Sequence, residues 1–85
     1  MSDLDFEEQA QLGLKYIEDA VVNLLTRHSD GLAGAEIGAS LGLGAELDPV
    51  HRDRLVGAIL ELLAASGRIL RDPDGRVFRD NPSRS

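Results

Sequence analysis

His28, Ser29 and Asp30 stand in a row and together contain the residue types of a nucleophile, its general base and the carboxylate that orients the base. Consecutive residues cannot converge on one reacting atom, so the triplet reads as a helix end followed by a turn. His28 and His51, the only histidines, lack a second ligand at zinc-binding spacing, and without cysteine the chain has neither a thiolate metal site nor a thiol nucleophile. Glu7 and Glu8 with Glu18 and Asp19 fit a solvated helix face. No glycine-rich phosphate loop follows a strand-like segment. The sequence therefore predicts no enzyme, no metal and no cofactor. What remains is arginine: after residue 50 the chain holds seven, Arg52, Arg54, Arg68, Arg71, Arg76, Arg79 and Arg84. Guanidinium groups pair with phosphates and with acceptor pairs on base edges.

Charge pulls both ways. The net charge of −6 opposes a polyanionic partner, because such association depends on cations displacing counterions. The distribution is polarised, however: residues 1–50 carry ten acids against Lys15 and Arg27, whereas residues 51–85 carry five acids against the seven arginines. Such asymmetry guides the choice of partner better than the sum does. At 85 residues the chain fits one domain with a single core and no deep catalytic cleft. The acidic opening MSDLDFEEQA lacks the positive, then apolar, pattern of a signal peptide, and no stretch reaches membrane-spanning length, so a cytoplasmic protein is expected. A single lysine among nine basic residues, with much Ala and Gly, hints at a GC-rich, bacterial coding sequence.

The elements that must position the arginines follow from periodicity. From Asp5 to about His28, Ala10, Leu14, Ile17, Val21 and Leu24 recur at steps of four and three, which keeps them on one helix face. Asp5 and Glu8 have capping-box spacing, and Gly13 weakens the run so that its regular part is expected from Leu14. A second helix fits Gly34 to Leu41, with Ile37 and Leu41 inward, Gly42 as its C-terminal stop, and Ala35, Gly38 and Ala39 permitting close packing. Asp48 before Pro49 starts a third helix, which runs to about Ser66 before Gly67. Its wheel turns Leu55, Val56, Ile59, Leu62 and Leu63 inward and Arg54, Gly57, Ala58 and Glu61 outward. Ile37, Leu55, Ile59 and Leu62 are the expected core. RILRDPDGRVFR, residues 68–79, predicts a β-hairpin; a three-residue loop at Pro73, Asp74 and Gly75 would set Leu70 opposite Phe78 and Arg71 opposite Val77. Leu32 is expected to add a short third strand.

The fold class expected is mainly α with a small β-hairpin, divided into an acidic segment at 1–13 that can extend the first helix, a folded domain at 14–80 and a polar tail at 81–85. YIEDAVVNLLTRHSDGL, AGAEIGASLGL, DPVHRDRLVGAILELLAASGRI and LRDPDGRVFR, in that order, resemble the winged helix-turn-helix family. The resemblance implies a three-helix DNA-binding domain, plausibly a small transcriptional regulator, with the third helix in the major groove and the hairpin wing on phosphates. Arg54, in the first two turns of that helix, is then the candidate for base contact. Arg52, Arg71, Arg76 and Arg79 are the candidates for double-stranded DNA phosphates. Selective binding by so small a module would call for a homodimer, with Phe6, Ala10 and Leu14 on the N-terminal helix as seam. The other reading is a winged helix that docks a protein partner through the Gly57 and Ala58 face, without DNA; Glu61 and the acidic first half favour it.

Overall fold

The computed structural model describes residues 3–82, with side chains from Phe6 onward. Three helices and a small antiparallel sheet follow in winged-helix order: α1 (Asp3–Thr26), β1 (Leu32–Ala33), α2 (Gly34–Leu41), α3 (Pro49–Ala65), β2 (Ile69–Arg71) and β3 (Val77–Asp80). The sheet order is β1-β3-β2, so Leu32 does form the short third strand, opposite Phe78. Among the described residues no helix is long and apolar enough to cross a membrane.

α1 passes unbroken through Gly13, so regular helix begins well before Leu14; the expected cap at Asp5 lies outside the described side chains. Val21, Val22 and Leu25 are buried, with Ile17 and Leu24 packed at the edge of the core. Ala10 and Leu14 are exposed, and the apolar stripe therefore meets the core only over its C-terminal half. Gly31 is required where the chain turns into β1, because its φ is +85° and a Cβ there would come within 2.8 Å of the Phe78 carbonyl oxygen.

α2 forms as expected, with Ile37 buried and Gly42 closing it at φ 66°. Ala33 has no acceptor to offer its first turn, and only the Glu36 half of a capping box is made, Glu36 Oε1 accepting from the Ala33 N–H at 3.1 Å. Gly38 is where α2 meets α3: a Cβ there would lie 2.8 Å from Val56 Cγ2. At the start of α3, Asp48 Oδ1 accepts from the His51 N–H at 3.0 Å and Pro49 takes the first helical position. The close approach at Gly38 turns Val56 fully inward and sets the rotation of α3, so that Val56, Ile59, Leu60 and Leu63 are its buried face. This corrects two expected core residues: Leu55 is 40% and Leu62 53% exposed.

The hairpin also differs in register. Arg71 is opposite Phe78 and Leu70 opposite Arg79, one residue from the expected pairing. The Asp72 N–H reaches the Val77 carbonyl at 2.9 Å and the Gly75 N–H the Asp72 carbonyl at 2.7 Å, so the loop holds four residues, Pro73 to Arg76. Ile69 and Phe78 close the core from this side, and Leu70 is exposed. The tail begins anchored, since Asn81 Nδ2 donates to the Gly67 carbonyl at 2.7 Å.

Candidate functional site

α3 and the hairpin carry all five arginines proposed from sequence, and the fold does not bring them onto one surface. Arg54 is exposed in the first two turns of α3, with no carboxylate within 4 Å among the described residues. Arg52 is two residues earlier and therefore on the opposite side of the helix. It is half-buried beside α2, in a depression it shares with Ala35, Ala39, Asp53 and Val56.

The wing arginines are split by the hairpin register. Directly opposed residues share a face, so Arg71 lies with Phe78 and Arg79 with Leu70 on the other side. Arg71 sits over the Phe78 ring, 5.2 Å from its centroid, with Nη2 3.8 Å from Glu61 Oε1 on α3. Arg79 Nη2 lies 2.9 Å from Asp72 Oδ1 across the strands. Arg76, at the exposed turn, is the only one of the three without an ion pair among the described residues; its backbone N–H donates to Asp74 Oδ1 at 3.1 Å. These exposed pairs are individually weak and an incoming phosphate could break them. They nevertheless lower the positive field that the sequence alone suggests.

Arg68, which the sequence reading gave no role, ties the start of β2 to α1. Its guanidinium reaches Asp19 Oδ1 at 2.7 Å and Glu18 Oε1 at 3.5 Å. Arg68 and Asp19 are 49 residues apart, and only the fold could show this.

What α3 presents outward is chiefly apolar. Leu55, Ala58, Leu62 and Ala65, spaced by three, four and three, are all exposed on one side of the helix, and Val50 at its start is 59% exposed. Ala58, Glu61, Leu62 and Ala65 line a shallow depression there. Gly57, expected outward, is half-buried toward Gly34 and Phe78. The helical period in the sequence allowed this stripe, yet Leu55 and Leu62 look like core until the phase of α3 is known. Arg54 and Glu61, seven residues apart, flank the stripe on one side, and His51, one turn before Leu55, continues it toward the start of α3.

At the N-cap, Asp48 has its carboxyl held below the usual range, first by the His51 backbone N–H and then by the His51 side chain, whose Nδ1 is 2.6 Å from Oδ2. This is helix capping. No protein-family model, curated protein or solved structure matches the chain.

Proposed function

We propose that this protein is a non-enzymatic, cytoplasmic winged-helix module that docks a protein partner through the outward face of α3. One observation carries the reading: the helix that a DNA-binding winged helix inserts into the major groove here offers Leu55, Ala58, Leu62 and Ala65 to its surroundings. Exposed apolar side chains at helical spacing suit an apolar protein surface. They gain little from phosphates, and the net charge of −6 repels a polyanion.

DNA binding, as by a small transcriptional regulator, is the second reading. Arg54 and Arg76 favour it, since both are exposed and neither is in an ion pair among the described residues. Two measurements separate the readings. Fluorescence anisotropy with mixed duplex DNA at low salt should give no saturable binding; salt-dependent binding whose slope flattens by about one unit in Arg76→Ala would establish the DNA reading instead. A photo-crosslinking residue placed at Leu62 in the full chain should form a discrete protein adduct in cells, whereas one at exposed Ser40 on α2 should not. No adduct from position 62 would sink the docking reading.

A further inference from the structure

We infer that the partner of the α3 face is a second copy of this chain, joined through an antiparallel α3–α3 pair about a two-fold axis at Ala58. The inference rests on the docking reading above and names its occupant. In an isologous pair, residue i of one copy meets j of the other and j meets i. With Ala58 against Ala58 of the second copy, Leu55, three residues before the axis, falls beside Leu62, four residues after it. Arg54 falls beside Glu61 in the same way.

The charges select this arrangement. Successive helix residues are about 100° apart, which puts Arg54 and Glu61 on the same flank of the Leu55–Ala58–Leu62–Ala65 stripe. In antiparallel packing like flanks adjoin, so each Arg54 meets the other copy's Glu61 and the two-fold makes the contact twice. Ala58, at the crossing point, has the small side chain that lets two helix backbones draw near. Glu61 is held only loosely in the single chain, 3.8 Å from Arg71 and 71% exposed.

The other exposed apolar stretch does not pair with itself in this way. Along α1, an antiparallel pair centred on Ala10 sets Glu7 beside Gly13 of the second copy and gives it no basic partner, while Glu18 is already paired with Arg68. The proposed homodimer contact is therefore on α3 and not at the seam of Phe6, Ala10 and Leu14 expected from sequence. The stripe from Leu55 to Ala65 spans about 15 Å of helix, less than a standard protein interface provides, so the dimer is weak, with Kd of roughly tens to hundreds of micromolar. Arg54 is covered in the dimer and cannot at the same time read a base.

Sedimentation equilibrium of the full chain across that concentration range tests the inference. Wild type should dimerise, Arg54→Glu and Glu61→Arg should each weaken self-association about tenfold, and the double swap should restore it. An equimolar mixture of the two single variants should also associate, because each then meets the opposite charge at both contacts; this outcome shows that both variants remain folded. A wild type monomeric throughout, or a dimer indifferent to both single variants, overturns the inference. If that monomer still gives a position-62 adduct whose added mass is not that of a second chain, the docking face stands and only its occupant is wrong.

Discussion

Asp48 decides where α3 begins, and its ionisation is built into that role. Its carboxylate takes the His51 N–H at 3.0 Å, and this bond, reinforced by the His51 ring, holds its pKa below the ordinary value. A carboxyl depressed on folding adds stability that is fully present above its unfolded value of about 4 and fades as pH falls through the folded value. Asp48→Asn retains a cap acceptor but cannot ionise. The melting temperature of wild type should therefore exceed that of the variant at about pH 5, with the gap shrinking below about pH 4. A gap unchanged down to about pH 2 would falsify the assigned role of the carboxylate. Arg68 shows the other side of residue-scale reading. In the sequence it is one arginine in a basic half, and in the fold it belongs to Glu18 and Asp19.

Elements impose what single residues cannot. Helix α3 contains apolar residues around most of its circumference, so the sequence leaves its rotation open by several tens of degrees. In the fold Gly38 faces Val56, where a Cβ would lie 2.8 Å from Val56 Cγ2, and Val56 is turned into the core. Truncations should sort accordingly. Ile59→Ala, at 5% exposure, should lose about 2 to 5 kcal/mol in urea unfolding, and Leu62→Ala, at 53%, about 0.5 kcal/mol or less. Equal losses would mean that α3 is rotated from the position described. The hairpin gives a parallel case. DPDG marks a turn clearly, but both a three- and a four-residue loop satisfy it, and one residue of slip sends Arg71 and Arg79 to opposite faces. That single residue separates two of the candidate phosphate arginines across the wing.

The molecule as a whole is a compact module with a long helical extension. Among the described residues ten buried hydrophobic residues, from Val21 to Phe78, make one core, while Phe6, Leu12, Leu14 and Tyr16 stand exposed along the earlier part of α1. A helix without tertiary contacts is only marginally stable in water, and Gly13 weakens this one further. Amide hydrogen exchange should therefore be fast from Phe6 to Leu14 and slowest at Val21–Leu25 and Leu60–Leu63. Uniform protection along α1 would show that something covers its first half. The sequence by itself determined the three helices, their stops at Gly42 and Gly67, the cap at Asp48, the hairpin and the third strand at Leu32. The helices, stops, cap and hairpin depend on local rules, namely the 3.6-residue period, capping oxygens and glycine at positive φ, that act within a few residues, whereas the strand at Leu32 forms only by pairing with Phe78. Tertiary structure alone decided which side of α3 is core, which face of the wing each arginine takes, and that Arg68 is committed to α1. Those depend on contacts between segments distant in the chain, where one close approach at Gly38 or one residue of register carries a whole face inward or outward.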